Sequence, residues 1–386
     1  MITRLSTGPR HHFFGYYGIC PWNSTGRHHL ALQTDFHDRA PRRDDKAVVG
    51  LVAADGGEFT PFAETSAFNL QQGSMMHWID VGFGQEFTYN DWDGERLVAR
   101  AVNPRTRAKR TIDAPIAAVS PSGTTAIGLN FARMSACRRV VGYANSMYAF
   151  EGLTAIPEDD GLYQIDLRTG RSGLLVSIAA VHRQMPRFQG PHWFNHAVFN
   201  PGGTRLLFVC RMREAKRGST SVWVADADGG NLDCVIEYGY WSSHFAWIDD
   251  ESIMISTNVP GEMGFTSINT RSKEMSRMEI AEFPADGHNA FSPDFQWIVC
   301  DTYPEGPNRE CRLLLHNRRR KTTLRLGSFA HPEYIHGDWR CDLHPRWSQD
   351  GRIITFDSVH EGTRQIYAAD VRGIVDDDAN HDCRAN

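Results

Sequence analysis

Four histidines in the second half of the chain share a local pattern that could support chemistry. His196, His244, His288 and His344 are each followed by two residues, an aromatic residue, a polar turn and a second apolar run. A histidine changes its charge near neutral pH, so it can act as a base or as an acid. A histidine at the start of a strand can also cap a backbone or bond a neighbouring strand, and the recurrence fits both interpretations.

Two arginines follow an apolar run in the first of these repeats. Arg211 and Arg213 end the segment RLLFVCRMR, and Asn130 to Arg133 hold the corresponding place in an earlier, weaker repeat. A guanidinium can bind a carboxylate through two parallel hydrogen bonds. The alternative is that these arginines pair only with acidic residues nearby. Histidine beside arginine therefore suits acid–base chemistry on an anionic substrate.

A metal site is predicted from a thiol and two histidines. Cys341 and His344 are separated by two residues, and His288 holds the place equivalent to His344 one repeat earlier. Thiolate and imidazole ligands favour Zn²⁺ over the harder Mn²⁺ or Ca²⁺, which are the alternatives. Three or four protein ligands would make the metal structural, and Cys300 or Cys311 could be the fourth. Taken alone, Cys341 would be a buried thiol.

The elements that must position these residues are short strands. Runs of β-branched and aromatic residues bounded by Gly, Asn, Asp and Pro recur throughout the chain, whereas helical periodicity is scarce. The spacing between successive histidine repeats is close to the ~40 to 50 residues of a propeller blade. Weaker copies begin at Tyr16, Met75 and Ile116. The sequence therefore predicts an all-β, seven-bladed β-propeller.

Closure of this propeller is predicted to use the N-terminal strand. The last blade ends near Arg372 without a fourth strand, and residues 2–7 are suited to complete it beside the strand containing Gln365. Pairing of this kind removes exposed sheet edges. Residues 1–373 are thus predicted to form one domain, and residues 374–386 a polar tail. In such blades the first strand begins where the second ends, which would gather the four histidines, the arginines and His77 at one mouth.

Composition excludes some classes of partner. The 386 residues carry a formal charge of -5, from 41 Lys and Arg and 46 Asp and Glu. No basic run is long enough to follow a phosphate backbone, so nucleic acid is not an expected partner. No stretch reaches the ~18 apolar residues of a membrane helix, and the first ten residues lack the apolar core of a signal peptide. We therefore expect a cytoplasmic protein without a membrane partner; its oligomeric state is not specified by the sequence.

Two segments resemble a known group of enzymes. DGHNAFSPD (286–294) and RCDLHPRWSQDG (340–351), together with the propeller pattern, resemble the oligogalacturonate lyases and their relatives, the ulvan and rhamnose-glucuronate lyases. The resemblance implies β-elimination on uronic-acid glycosides near a histidine-bound metal. It places a metal histidine at His288. It also places a Gln-x-x-His-x-His cluster at Cys341, His344 and Arg346, where only His344 keeps the ligand type.

The resemblance also suggests roles for residues at the mouth. Uronate β-elimination needs a cation for the carboxylate, a base for the C5 proton and an acid for the leaving oxygen. The oligogalacturonate lyase base falls near His244, whereas the ulvan lyases place a tyrosine near Asn195 or His196. The candidates are, for the base, His196 or His244; for the carboxylate, Arg211 or Arg213; for the acid, His77, Tyr143 or Tyr148; and for a further substrate contact, Arg133.

Two functions are therefore predicted as alternatives. The first is an intracellular lyase that cleaves short oligosaccharides containing uronic acid and leaves a 4,5-unsaturated end. The second is a non-catalytic propeller that binds a glycan or a protein, resembling propellers of the TolB type. The fold does not decide between them, because propellers host both kinds of protein.

Overall fold

The computed structural model describes residues 1–80, 85–145, 149–213 and 220–376. Short strands dominate these residues, as predicted, and none of their helices is long and apolar enough to span a membrane. The first strands are β1 (Ile2–Arg4), β2 (His11–Phe13), β3 (His28–Thr34), β4 (Ala47–Ala53), β5 (Thr60–Thr65), β6 (His77–Asp80), β7 (Gln85–Trp92), β8 (Leu97–Val102), β9 (Lys109–Ile112), β10 (Ile116–Val119), β11 (Thr125–Leu129), β12 (Gly161–Asp166) and β13 (Ser172–Ser177). The later strands are β14 (His192–Phe199), β15 (Arg205–Met212), β16 (Thr220–Asp226), β17 (Asp233–Ile236), β18 (Ser242–Trp247), β19 (Ser252–Thr257), β20 (Gly264–Asn269), β21 (Met275–Arg277), β22 (Asn289–Phe291), β23 (Trp297–Asp301), β24 (Glu310–Asn317), β25 (Thr322–Ala330), β26 (Arg346–Trp347), β27 (Ile353–Ser358) and β28 (Gln365–Asp370). The helices are α1 (Phe131–Cys137) and α2 (Ile178–Gln184), with 3-10 turns at Arg139–Val141, Phe150–Gly152 and Gly337–Trp339.

The fold is a seven-bladed β-propeller, as the repeats predicted. The described strands form seven four-stranded antiparallel sheets. Blades 1 to 6 each consist of four consecutive strands, β2–β5, β6–β9, β10–β13, β14–β17, β18–β21 and β22–β25, and blade 7 has the order β1-β28-β27-β26. The chain divides into two compact units. Residues 1–39, 48–63 and 280 onward carry blades 6 and 7 and most of blade 1, and residues 40–47 and 64–279 carry blades 2 to 5.

The middle strands of the blades form the core. Every residue of β15 is buried, whereas the outermost strand β25 is largely exposed. Within the first unit, blades 6 and 7 share an apolar cluster that includes Trp297, Leu313 and Phe356. Within the second unit, blades 4 and 5 are joined through residues such as Val209 and Ile255. Of the four repeated histidines, His288 and His344 precede the innermost strands β22 and β26, whereas His196 and His244 lie within β14 and β18.

In four blades, the turn between the third strand and the outermost strand is stabilised in the same way. The side chain of an Asn or Asp that ends or follows the third strand accepts hydrogen bonds from the backbone N–H groups two and three residues later. The residue four positions later has a left-handed backbone. Such side chains stabilise tight turns by this local bonding. The turn residues are Asn103, Asp166, Asn269 and Asn317.

The N-terminal strand completes blade 7, as predicted. Ile2 lies opposite Ala369 and Arg4 opposite Tyr367, and the Leu5 N–H donates to the carbonyl of Ile366 over 2.9 Å. The Ser6 hydroxyl donates to the side chain of Gln365 over 2.6 Å and accepts from the Ile366 N–H over 2.9 Å. The first six residues are therefore an integral part of the last sheet.

Removing residues 1–6 should strongly destabilise the protein. The deletion would expose the edge of β28 and remove the buried Leu5 side chain from its apolar cluster. Lost hydrogen bonds at ~1 kcal/mol each and lost apolar burial together suggest a decrease of about 5 kcal/mol in the free energy of unfolding. Denaturant titration measures this, with the exposed Thr3→Ala as the control that keeps the strand. An unchanged free energy of unfolding would contradict the structural role of β1.

Candidate active site and metal centre

Three of the four repeated histidines have an unusual backbone. The φ angles of His196, His244 and His344 are 51°, 32° and 46°, and the register shifts beside His196 and His244 indicate a bulge in the innermost strand. Met75 holds the same position in blade 2, with a φ of 46°. Left-handed backbone is uncommon for residues other than glycine. The left-handed backbone is thus a recurring property of this blade position, and in three blades the residue there is a histidine.

His196 and His244 lie at equivalent positions of neighbouring blades. The ring of His196 meets the ring of Phe245 edge-on at 6.2 Å between centroids, and Phe245 directly follows His244. The Nδ1 atom of His244 lies 3.3 Å from the Ser243 hydroxyl, and both imidazoles are half-buried. The structure therefore places these two predicted base candidates in adjoining blades of one unit.

Arg211 and Asn195 lie on the paired strands β15 and β14 of blade 4. Arg211 is opposite Trp193 across β14 and β15, and Asn195 is two residues further along β14. The Asn195 side-chain oxygen accepts from the backbone N–H of His196 over 2.9 Å. Among the described residues, the buried Nδ2 of Asn195 and Nε1 of Trp193 have no hydrogen-bond partner.

Two predicted proton donors lie in the core instead. His77 is buried, and burial lowers the pKa of its imidazole to about 4, so it is neutral near pH 7. Tyr143 is 0% exposed, stacks on Phe131 at 4.8 Å, and its hydroxyl accepts a 2.8 Å hydrogen bond from Asn90. Burial raises the pKa of Tyr143. Neither residue is suited to protonate a leaving group; the third candidate, Tyr148, lies outside the described residues.

Arg133 is a structural residue and not a substrate contact. Instead of continuing β11, the chain enters helix α1, capped by the Asn130 side chain, which accepts from the Arg133 N–H. The buried guanidinium of Arg133 donates to the carbonyl oxygens of His192, Thr154 and Ala155 over 2.5 to 3.1 Å. The sequence did not predict this helix. Its guanidinium-bearing residue Arg133 hydrogen-bonds the main chain at Thr154 and Ala155 and the first residue of β14.

Arg213 is exposed at the end of the same segment as Arg211. Its guanidinium lies 3.9 Å from the centroid of the Phe150 ring, and it donates to the carbonyl of Ala136 over 3.3 Å. The contacts are weak enough to be exchanged for a ligand. Arg213 therefore keeps a predicted role in substrate binding, while Arg211 is the more buried of the two.

His288 is held by the carboxylate of Asp301. The backbone N–H of His288 donates to Asp301 Oδ1 over 2.8 Å, and its Nδ1 lies 2.9 and 3.0 Å from the two carboxylate oxygens. Both side chains are buried. Burial opposes protonation, yet the charge and hydrogen bond of Asp301 outweigh it and raise the pKa of His288. This arrangement fixes the tautomer and directs Nε2 away from Asp301.

His344 faces His288 from the next blade. The two Nε2 atoms lie 3.1 Å apart, and the His344 N–H donates to Asp301 Oδ2 over 3.0 Å. Two neutral Nε2 lone pairs at this distance repel unless a proton or a cation lies between them. Together with the Asp342 carboxylate, the nitrogens form a group whose ligand atoms all lie within 4.8 Å of one another. These residues fit a divalent metal.

The third ligand offered by the structure is Asp342 and not Cys341. The Cys341 side chain packs with Ile335 and Val359 in an apolar cluster, and burial raises the pKa of its thiol to about 12. The chain from 340 to 345 has no regular strand, so the next residue along presents its side chain to the histidines. Zn²⁺ was favoured because Cys341 was expected to supply a thiolate, and the thiol does not reach the metal group. Two imidazoles and a carboxylate suit Mn²⁺ as well as Zn²⁺.

Arg346 takes the place where the resemblance puts a last histidine. Its side chain is fully buried, and Nη2 donates to Asp357 Oδ1 over 2.9 Å. The carboxylate of Asp357 also accepts from the backbone N–H groups of Phe14 and Gly15. This position therefore holds an internal ion pair, and the metal group depends on the two histidines and Asp342.

Aromatic rings and one arginine surround the metal group. The Tyr17 ring lies 5.1 Å from His288 and 6.1 Å from His344, and the Tyr303 ring lies 5.7 Å from His288. The Arg340 guanidinium lies 4.6 Å from the centre of the Tyr303 ring. Sequence reasoning assigned no role to these three residues. Tyr303 and Arg340 lie close in sequence to the histidine motifs, in DTYP (301–304) and RCDLH (340–344), whereas Tyr17 lies far from them in YYG (16–18).

The fold matches that of solved enzymes. An oligogalacturonate lyase from Vibrio parahaemolyticus has a TM-score of 0.67 and 17% sequence identity, with 96% of this chain and 93% of that chain covered. The chain shares its fold with that lyase. A second oligogalacturonate lyase, in complex with manganese, has a TM-score of 0.66 and 16% identity over 96% of this chain and 92% of its own.

The fold similarity extends beyond lyases. A puromycin-hydrolyzing peptidase from Mycobacterium tuberculosis has a TM-score of 0.59 and 14% identity, over 92% of this chain and 52% of the peptidase. No protein-family model and no curated protein sequence matches the chain. At these identities the similarity establishes the fold alone.

Proposed function

We propose that the protein is a lyase that cleaves oligosaccharides containing uronic acid by β-elimination and leaves a 4,5-unsaturated uronate end. The observation that carries the proposal is the pair of histidine Nε2 atoms at 3.1 Å, backed by Asp301 and joined by Asp342. This group lies in a fold similar over most of its length to two oligogalacturonate lyases, one of them in complex with manganese.

The metal group would be built by His288, His344 and Asp342. A divalent metal bound there would supply positive charge that stabilises a uronate carboxylate as the C5 proton leaves. The protein's own part is to hold the ligands in place. Asp301 fixes the imidazole of His288 and the backbone of His344, so the His288 ring and the His344 main chain are positioned before any ligand binds.

The base and the carboxylate contact are proposed in blades 4 and 5. His244, or alternatively His196, would remove the C5 proton, since histidine is the side chain that most often serves as a general base. Arg211 and Arg213 would bind the carboxylate, with the buried donors of Asn195 and Trp193 nearby. The proton for the leaving oxygen must come from a group other than His77 or Tyr143, because both are core residues.

The conservative change Arg211→Lys should lower turnover by about 10²-fold. Lysine keeps the charge but loses the two parallel hydrogen bonds of a guanidinium, and the lost contact matters most where charge develops on the carboxylate. Apparent affinity should change less than turnover. Steady-state kinetics on an oligogalacturonate measure both quantities, with the exposed Arg138→Lys as the control. Equal turnover in the two variants would remove Arg211 from the site.

A product assay tests the proposed function. Purified protein, loaded with Mn²⁺ or treated with a chelator, is incubated with oligosaccharides of galacturonate, glucuronate and rhamnose-glucuronate. The unsaturated uronate absorbs in the ultraviolet, so β-elimination is followed directly and mass spectrometry confirms the product. We expect metal-dependent absorbance with at least one uronate oligosaccharide. Binding of such oligosaccharides without product formation would instead indicate the non-catalytic, glycan-binding alternative.

A further inference from the structure

The exposed part of a buried ion pair lies beside the metal group. Arg340 Nε donates to Asp342 Oδ1 over 2.5 Å, and Nη2 donates to Oδ2 over 2.7 Å. The Asp342 side chain is 1% exposed, whereas 30% of the Arg340 side chain is exposed. Asp342, a candidate metal ligand, therefore fixes one edge of the guanidinium. The part of this ion pair that faces solvent belongs to Arg340.

We propose that Arg340 binds a uronate carboxylate of the substrate beside the metal group. The inference rests on the proposed function and names a specificity residue for the same site. A guanidinium has two edges that can each bind a carboxylate through parallel hydrogen bonds. The edge formed by Nε and Nη2 engages Asp342. The edge formed by Nη1 and Nη2 is the second one, so Arg340 can join a protein carboxylate and a substrate carboxylate at once.

The arginine is held in place from three sides. Its guanidinium lies on the Tyr303 ring at 4.6 Å, and that ring meets His288 edge-on at 5.7 Å. The buried Arg364 donates from Nη2 to the backbone carbonyls of Trp339 and Arg340 over 2.7 and 3.1 Å. Little side-chain or backbone freedom is left to lose on binding. A pre-organised arginine of this kind binds anions more tightly than a mobile surface arginine.

Charge explains why this position selects an acidic sugar. Asp301 and Asp342 are buried acids, and Arg340 is the basic side chain that pairs with Asp342. A divalent metal on the histidines would add two positive charges and share the Asp342 carboxylate. Arg340 would then be less neutralised by its partner, and an anionic group on the ligand would be favoured. A neutral sugar of the same shape lacks this interaction.

The test measures binding without cleavage. Galacturonic acid has no glycosidic bond at C4 to be eliminated, so calorimetric titration of the Mn²⁺-loaded protein with galacturonate and with galactose reports charge recognition alone. Arg340→Lys keeps a cation for Asp342 but cannot form bidentate contacts, and Arg340→Gln removes the charge. The control is Arg325→Gln, an exposed arginine 3.8 Å from Glu282 in the same unit. Mn²⁺ affinity is measured for every variant.

We expect Arg340→Lys to weaken galacturonate binding about tenfold and Arg340→Gln about a hundredfold, with galactose binding unchanged. Arg340→Lys keeps a positive charge beside Asp342, so its Mn²⁺ affinity should fall by less than its galacturonate affinity. The proposal is overturned if galacturonate affinity is unaffected, or if it falls only as far as Mn²⁺ affinity falls, which would make Arg340 a positioning residue for Asp342. The test separates this inference from the proposed function. Charge-selective binding without any elimination product would contradict the proposed function and leave the role of Arg340 intact. Elimination that is unaffected by Arg340→Gln would contradict the role of Arg340 and leave the proposed function intact.

Discussion

Replacing His288 with alanine should abolish divalent-metal binding and lower turnover by at least about 10³-fold. The variant removes one of two facing nitrogens and leaves Asp301 and Asp342 as buried acids without that partner. A site with two remaining ligands holds a metal poorly, and the charge that the metal would supply to the carboxylate is lost with it. Titration with Mn²⁺ and elemental analysis measure the first effect, and the ultraviolet product assay measures the second.

Two further variants make this result specific. His336→Ala changes an exposed histidine of the same compact unit and should leave metal content and turnover unchanged. Asp301→Asn keeps the size of the side chain but offers one acceptor oxygen where the carboxylate offers two, so Mn²⁺ affinity should fall by about 10- to 100-fold. If His288→Ala still bound one Mn²⁺ per chain with unchanged affinity, the metal would have to lie elsewhere.

Replacing His244 with alanine should lower turnover by about 10²- to 10⁴-fold, the range expected for loss of a general base. His196→Ala should retain measurable activity, because we assign its imidazole to orienting the substrate. The two positions have the same left-handed backbone in adjoining blades, which makes them matched controls for one another. Metal content should be unchanged in both variants. If His196→Ala were the inactive variant, the two roles would be exchanged, and near-normal turnover in both would place the base outside this pair.

The blades were predictable from the sequence because their strands and turns have local signals. The pattern of a histidine, two residues and an aromatic residue marks the innermost strand, and the turn asparagines mark the outer one. The pairing of the first strand with Gln365–Asp370 followed from a missing fourth strand. The local signal was weakest in blade 1, where the innermost strand is His11–Phe13 and precedes the predicted copy at Tyr16.

The site was predicted only in part, for physical reasons that particular residues illustrate. His288 and His344 meet as the repeat suggested, because equivalent positions of adjacent blades are neighbours. The third ligand was assigned to Cys341, since alternation of side chains cannot be read where the backbone is irregular. Arg133 was expected at the mouth, but the cap formed by Asn130 starts a helix that takes it away. Whether a side chain such as that of Arg133 is buried depends on tertiary contacts, which the spacing of residues in the sequence does not specify.

The left-handed backbone of three histidines implies a conflict between stability and activity at the same position of three blades. Each such backbone costs on the order of 1 kcal/mol for a residue other than glycine or asparagine. Selection for thermal stability alone should therefore replace His196, His244 and His344 by glycine or asparagine, with loss of any chemistry they perform. Met75 has the same backbone without an imidazole, so it marks the position where such a replacement should stabilise the protein at no cost to its activity.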